Sequence, residues 1–280
     1  MLTTYQLTRI CSQIRPDDLP SYTEAREYWA KLREREGFAR TKPMLMARDN
    51  NTKVKKNEPL TWTLSLSPHK ESGVLNTCTN ATKECIYGCV SHNGNGAYPS
   101  VIQGRRVRTM LLVERPDVFA ALMRRELQNV VRYGERKGRA VAVRLNTFSD
   151  LPWERMFPWL LAEFGGQFYD YTKDWKRIVR PANYHLTFSV SHRTTEEMID
   201  DALSAGRNVA MVADRSAGNG RGECGTSWRG HRVVDGDQSD YRPGDGEGVL
   251  VHLYPKGRAR SLERGGFVRS FDEFDVTCAA

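Results

Sequence analysis

The sequence lacks a long apolar run. Its 280 residues contain no stretch of the roughly 18 to 20 apolar residues that a membrane-spanning helix needs. The first segment, Met1 to Ile14, is too polar for a secretory signal peptide. We therefore expect a cytoplasmic protein with no membrane partner.

The motifs of several common enzyme classes are also missing. The sequence has no G-x4-G-K-[ST] phosphate loop and no G-x-S-x-G nucleophile elbow. It also lacks the histidine–hydrophobe–histidine motif of rolling-circle nickases. These absences argue against a P-loop nucleotidase, an α/β-hydrolase and a nickase.

The composition is that of a folded protein with excess positive charge. Hydrophobic residues make up 39% and charged residues 27%, which is typical of a globular chain rather than a disordered one. Lysine and arginine total 42 against 34 acids, a net charge of +8. This balance suggests a polyanionic partner such as nucleic acid.

Strand and helix patterns alternate along most of the chain. Alternating or continuous short apolar runs predict strands at 60–67, 140–145, 167–172, 184–191, 208–213, 232–234 and 248–254. Helical spacing predicts helices at 24–36, at 101–137 with a break near Pro116, at 152–164 and at 196–205. Strands separated by helices favour a parallel sheet. We expect an α/β fold, a mainly parallel (β/α) partial barrel.

Two regions are expected. Residues 1–58 are polar and predict an N-terminal helical arm that ends in a linker at 47–58, with a packed extension of the main domain as the alternative. Residues 59–280 form the barrel-like domain. It includes a cysteine loop at 76–96 and a glycine-rich insertion at 216–230, which we expect to be mobile or ordered by a ligand.

Three of the six cysteines lie within twelve residues, as Cys78-x6-Cys85-x3-Cys89. Thiolates gathered in one loop of a cytoplasmic protein are typical metal ligands. Zinc needs a fourth ligand, which His92, or Cys224 or Cys278 from a distance, would supply. Alternatively, three cysteines hold three irons of a [4Fe–4S] cluster and leave the fourth iron open.

The cluster alternative resembles the radical S-adenosylmethionine (SAM) enzymes. In that family a three-cysteine loop follows the first strand of a parallel β/α barrel, and SAM binds the open iron. The loop position here is the same, because the cysteines follow the first predicted strand of the β/α region. The spacing differs from the usual C-x3-C-x2-C.

Polar residues follow most of the predicted strands. In parallel sheets the chemistry lies at the carboxyl ends of the strands, so we expect these residues to share a site. Candidate catalytic residues are Asp150, Tyr171 and Lys173. Candidate cofactor-binding residues are Asn146, Ser149, Ser189, Ser191, Asp235 and Asp237. Ordinary turn and capping chemistry is the alternative for the acids.

Basic residues cluster in two places. Arg105, Arg106 and Arg108 lie on the helix after the cysteines, and Lys176 and Arg177 follow Lys173. If they converge, a phosphate backbone would dock beside the cysteine loop. A solvated helix face is the alternative.

A set of motifs resembles a family of uncharacterised bacteriophage and prophage proteins, known as a numbered phage gene product. The resemblance covers about residues 51–268 and rests on Asn76-Thr77-Cys78 with Cys85 and Cys89, VRLNTFSDLPWE (143–154), FYDYTK (168–173), NYHLTFSVS (183–191), NVAMV (208–212), VVDGDQSD (233–240) and GVLVHLYPKGRA (248–259). It implies that these segments form one unit.

The sequence thus favours a phage-encoded iron–sulfur protein with a radical-SAM-like fold, a [4Fe–4S] cluster and SAM. It would act on a nucleic acid or nucleotide in the host cytoplasm and need an electron donor. One alternative is a non-enzymatic, zinc-stabilised nucleic-acid-binding protein that serves phage replication or host takeover. The other is an iron–sulfur redox protein without SAM.

Overall fold

One mostly parallel sheet organises the protein. The computed structural model describes residues 1–38, 44–48, 59–214, 226–270 and Phe274. Within these residues the sheet has ten strands and does not close into a barrel. The strands are β1 Met46–Arg48, β2 Leu60–Leu64, β3 Val141–Arg144, β4 Gln167–Thr172, β5 Tyr184–Ser189, β6 Val209–Asp214, β7 Ser227–Trp228, β8 His231–Asp235, β9 Leu250–Leu253 and β10 Val268–Ser270.

The parallel strands from β2 to β6 follow one another in chain order. The sheet runs β1-β2-β3-β4-β5-β6-β9-β8-β7, and β10 pairs with the end of β6. Every pair from β2 to β6, and β6 with β9, is parallel, whereas β1 and β7 pair antiparallel with β2 and β8. Parallel strands in one order place all their carboxyl ends along one edge. The expected mixed α/β fold with a mainly parallel sheet is confirmed, as an open sheet.

Eight α-helices are present in the described ranges. They are α1 Thr4–Gln13, α2 Tyr22–Arg35, α3 Lys83–Tyr87, α4 Pro99–Glu114, α5 Pro116–Lys137, α6 Trp153–Met156, α7 Pro158–Glu163 and α8 Glu196–Ser204. The predicted break at Pro116 separates α4 from α5, because proline cannot donate the backbone hydrogen bond of a helix interior. Gly138 ends α5 in the left-handed region, at φ 59°.

The two faces of the sheet differ in chemistry from β2 to β5. Side chains alternate between faces along a strand, and cross-strand partners share a face. One face contributes buried apolar side chains to the main core, namely Leu60, Trp62, Leu64, Val141, Val143, Phe168 and Tyr184. The other face carries Thr61, Thr63, Arg144, Tyr169, Tyr171, His185 and Thr187. We call this second set the polar face.

The N-terminal helices pack on the sheet domain. Leu7, Trp29 and Leu32 belong to the same core cluster as the β2 and β3 side chains. Met46–Arg48 forms β1 on the edge of the sheet. Part of the predicted linker is therefore a strand, and its remainder, residues 49–58, lies outside the described residues.

One predicted helix differs in the structure, and some short strands were not predicted. The helix expected at 152–164 is two short helices, because Pro158 starts a new helix after Phe157. Strand β10 was not predicted, since three residues give too little alternation to read. Residues 216–225 of the glycine-rich insertion lie outside the described residues, and 226–230 contain β7. In the described part of the chain, no helix is long and apolar enough to cross a membrane.

Candidate functional site

The three clustered cysteines line one cavity at the carboxyl edge of the sheet. The segment after β2 carries Cys78, and Cys85 lies on α3, whose first turn is capped by the Thr82 hydroxyl. Cys89 follows directly after α3. The cavity has a volume of about 190 Å³, and its other walls are Pro68, His69, Glu71, Ala81, Ile86 and His92. The expected grouping of the cysteines is present.

All three thiols are free. The Sγ of Cys78 receives a hydrogen bond from the His69 N–H at 3.3 Å and donates to the Phe148 carbonyl at 3.3 Å. The Ser91 hydroxyl donates to the Cys89 Sγ at 3.1 Å. Burial raises the pKa of Cys78 to about 12 and raises the pKa of Cys85. The Cys78 and Cys85 thiols are therefore protonated unless a cation binds them.

The cysteine loop crosses the carboxyl edge and is tied to several strand exits. After β3, the Asp150 N–H donates to the Thr77 carbonyl at 2.8 Å. After β5, the His192 Nδ1 lies 2.9 Å from the Glu84 Oε2. Beyond β9, α3 contacts the 3₁₀-helix Gly257–Ser261. The loop is therefore held at the carboxyl edge by contacts with the segments that follow β3, β5 and β9.

Lys173 lies beside the thiols. Its Nζ donates to the Ser189 hydroxyl at 2.8 Å and to the Val190 carbonyl at 2.6 Å, and it lies 4.8 Å from the centre of the Phe267 ring. Burial lowers the pKa of Lys173, whereas the negative charge of a Cys85 thiolate would raise it. An ammonium has three N–H donors, so one remains after the two bonds to the exit of β5. The predicted convergence of Lys173 and Ser189 is present in the structure.

Asp150 ties the exits of β3 and β4 together. Its carboxylate accepts the Lys173 backbone N–H at 2.8 Å and pairs with Arg177 at 3.0 Å. Burial raises the pKa of Asp150, and Arg177 opposes this effect. The next helix, α6, has Pro152 at its N-cap, so Asp150 does not cap it.

Asn146 and Ser149 form an internal network beneath the loop. The Asn146 Oδ1 accepts hydrogen bonds from the Ser149 hydroxyl at 2.8 Å, the Leu151 N–H at 2.9 Å and the Trp153 Nε1 at 3.1 Å. The Asn146 Nδ2 donates to the Leu151 carbonyl at 3.0 Å. These contacts hold the β3 exit in shape. Cofactor binding by these two residues stays a prediction.

The other predicted cofactor residues lie at the exits of β5 and β8 and bond to the turns that follow. The Ser191 hydroxyl bonds to Thr194 and accepts the Arg193 N–H at 3.3 Å. The Asp235 Oδ1 accepts the Asp237 N–H at 2.8 Å, and Asp237 pairs with Lys256 at 2.7 Å. Their roles toward a cofactor stay predictions.

Tyr171 lies on the polar face, next to a residue that the sequence reasoning missed. The Arg144 guanidinium stacks over the Tyr171 ring at 4.9 Å. Burial raises the pKa of Tyr171 to about 12, so its phenol stays protonated at neutral pH. The alternation of VAVR at the end of β3 would have placed Arg144 opposite the apolar face.

The predicted basic surface is only partly exposed. Arg105 is fully buried, where it donates to the Gly96 carbonyl at 2.8 Å and pairs with Glu71 at 3.2 Å. Arg177 is also buried. Neither can reach a phosphate backbone in this conformation, so both are removed from that surface. Arg106 and Lys176 are exposed, and Arg108 is half-buried.

The metal prediction is left open by the geometry. In the described part of the chain, no group of three or more His, Cys, Asp or Glu side chains is drawn together tightly enough to hold a metal ion. The Nδ1 of His92, on the cavity wall, is buried and has no hydrogen-bond partner among the described residues. Cys224 and Cys278 lie outside the described residues.

An open, mostly parallel sheet with a three-thiol cavity at its carboxyl edge defines an α/β protein with a candidate site where parallel sheets place their chemistry. The chain belongs to the Gene product 88 family, whose model matches residues 42–270. The expected phage gene-product family is thus confirmed, and the match begins earlier than the expected residue 51. Neither the curated proteins nor the solved structures include a match to the chain.

Proposed function

We propose that this protein is an iron–sulfur enzyme of the radical-SAM type, in which Cys78, Cys85 and Cys89 hold a [4Fe–4S] cluster and SAM binds the open iron. One observation carries the proposal: three free thiols from one loop line a single cavity of about 190 Å³ at the carboxyl edge of the sheet. The loop follows β2, the first parallel strand in the chain.

The order of the strands supports the same proposal. Six parallel strands, β2 to β6 and then β9, are neighbours in chain order. Crossovers of one hand that step in one direction, as the strand order does from β2 to β6, would leave their helices on one face of the sheet. In a partial barrel the other face would be the inner side, and the polar face opposite the apolar core would fit that position.

The donor set fits an iron–sulfur cluster. Thiolates are the ligands of such clusters, and three of them leave one iron open. Binding must displace the protons that burial holds on the Cys78 and Cys85 thiols. Lys173 supplies a positive charge near Cys85, which favours the ionised form of that thiol.

When both are bound, the cluster and SAM supply one-electron chemistry that cleaves SAM reductively. The chain's own residues would bind and orient. The third N–H of Lys173 would hold a carboxylate, and the protonated phenol of Tyr171 would donate a hydrogen bond. The Asp150 carboxylate accepts the Lys173 backbone N–H and so helps to position Lys173.

The proposed substrate is a nucleotide or nucleic acid in the host cytoplasm, and the electron comes from a host donor. The net charge of +8 supports a polyanionic partner. Arg106 and Lys176 are the predicted basic residues that remain exposed. Arg105 and Arg177 are no longer part of this proposal.

His92 favours one alternative, a structural zinc. Its buried, unpartnered Nδ1 on the cavity wall would complete a Cys3His site. Zinc–sulfur bonds of about 2.3 Å require the thiolates of one tetrahedral site to stand within about 4 Å of each other. No such group exists among the described residues as they stand, so the zinc alternative requires the loop to contract.

The test is SAM cleavage by the anaerobically purified protein. With dithionite and SAM, we expect 5′-deoxyadenosine and methionine by liquid chromatography, and loss of both products in Cys85→Ala. The matched control is Cys11→Ala, which removes a buried thiol in α1, outside the loop, and should keep the activity. No 5′-deoxyadenosine from an iron-loaded protein would exclude the radical-SAM mechanism.

A further inference from the structure

The polar face is unusual for a parallel sheet. Parallel strands are normally buried on both sides and carry apolar residues on both. Here one row of cross-strand neighbours contains Thr63, Arg144, Tyr169 and His185, and the next contains Tyr171 and Thr187. Hydroxyl, imidazole and guanidinium groups on one surface are hydrogen-bond donors with a positive charge among them.

Arg144 is the centre of this surface. Its guanidinium stacks on Tyr171 and pairs with Asp240 through a single contact at 3.3 Å. The Arg144 Nε is buried and has no hydrogen-bond partner among the described residues. A guanidinium fork can bind an oxyanion through two N–H groups at once. The contact with Asp240 therefore uses only part of the hydrogen-bonding capacity of the Arg144 guanidinium.

Asp240, whose carboxylate pairs with Arg144, lies in the segment that connects β8 to β9. Tyr241 in this segment contacts the Tyr169 ring edge-on at 5.5 Å, and the 3₁₀-helix Arg242–Gly244 contacts β5. At its start, Gly236 approaches β9 so closely that a Cβ atom would lie 2.6 Å from side-chain atoms of Val251 and Leu253. The segment thus lies across the polar face and is anchored beside β9.

We infer that Arg144, Tyr171, His185 and Thr187 form a binding site for the phosphate group of a small molecule, and that the Asp240 carboxylate occupies this site in the free protein. The donors outnumber the two oxygens of a carboxylate and suit a tetrahedral oxyanion. Burial and the nearby Arg242 lower the pKa of His185 to about 4, so its imidazole is neutral. The His185 Nε2 lies 3.2 Å from the Thr187 hydroxyl, so the two side chains already share one hydrogen bond and the other ring nitrogen or hydroxyl lone pair is left for a ligand. The inference goes beyond the proposed function, because it needs no metal.

Substitutions of the two partners of the ion pair, Arg144 and Asp240, should change phosphate affinity in opposite directions. Inorganic phosphate is the probe, titrated into the full-length protein at constant ionic strength and followed by ³¹P line width. Arg144→Gln should weaken binding about tenfold or more, because it removes a charge-assisted contact. Asp240→Asn should tighten binding about three- to tenfold, because it removes the competing charge. Arg35→Gln, at a surface pair with Glu114, should change nothing.

A second readout follows the segment itself. Amide hydrogen exchange at residues 237–245 should become faster when phosphate is saturating, because the ligand replaces Asp240. Weaker binding in both Arg144→Gln and Asp240→Asn would mean that the pair is only structural and would overturn the inference. Phosphate that fails to bind the wild-type protein would overturn it as well. Phosphate binding without iron would leave this inference standing while the proposed function failed.

Discussion

Replacing Arg177 by alanine separates a structural role from the nucleic-acid role that its sequence neighbourhood suggests. The Arg177 guanidinium pairs with Glu154 at 2.7 Å and with Asp150 at 3.0 Å, and it donates to the Tyr184 hydroxyl at 3.2 Å. Its side chain is 4% exposed, and those of Glu154 and Asp150 are 9% and 11% exposed. Arg177→Ala would leave Asp150 without its counter-ion and would leave Glu154 only a 3.8 Å contact with the exposed Arg155.

The burial of this ion pair indicates how strongly Arg177→Ala should lower the free energy of unfolding. Removing one partner of a buried ion pair costs about 3–5 kcal/mol, mainly because the remaining charge stays buried and unpaired. Lys176 is the matched control, since it is the adjacent residue and is exposed. Lys176→Ala should change the free energy of unfolding by less than about 0.5 kcal/mol.

Urea denaturation followed by tryptophan fluorescence measures both variants, and a gel-shift series across salt measures nucleic-acid binding. We expect a much lower urea midpoint for Arg177→Ala and an unchanged midpoint for Lys176→Ala. If Arg177 contacted phosphates, its loss would reduce the salt dependence of binding. Equal midpoints for the two variants, with a reduced salt dependence only for Arg177→Ala, would refute the structural role.

Three further predictions concern two buried side chains and one glycine. Burial raises the pKa of Glu126 to about 7, above its unfolded value of 4.5, so its contribution favours folding at low pH and is lost as pH rises from about 5 to 8. Urea midpoints across that range should show the loss, and an unchanged slope in Glu126→Gln would contradict the assignment. Asn146→Ala should cost about 3–5 kcal/mol, since it orphans several buried donors; a calorimetric loss below 1 kcal/mol would disprove the network. Gly257→Ala, whose Cβ would collide with Asn93, should loosen the cysteine loop and lower the iron content, whereas Gly265→Ala, also at positive φ but with open space, should not.

The strands and their shared edge could be predicted from the sequence because both depend on local pattern. Alternation in LTWTL, VAVR and YHLTFS marks the strands, and parallel strands bring their exits together. The meeting of Lys173 with Ser189 and the single cavity of the three cysteines follow from these two facts. The polar face was readable from the same alternation, at Arg144 and Tyr171.

The burial of particular polar side chains could not be predicted, because it depends on contacts between distant segments. Arg105 lies in a helix rich in arginine, but a carbonyl at Gly96 and a carboxylate at Glu71 enclose it. Asn146 reads as a strand-exit ligand, yet its amide is used by Ser149 and its neighbours. No local pattern distinguishes these residues from exposed ones.

The iron and sulfide content of the protein tests the central claim most directly. After anaerobic purification, the account predicts about four irons and four sulfides per chain, a brown colour, and the loss of both elements in Cys85→Ala but not in Cys11→Ala. One zinc per chain without iron, retained by the wild type and lost in Cys85→Ala, would contradict it.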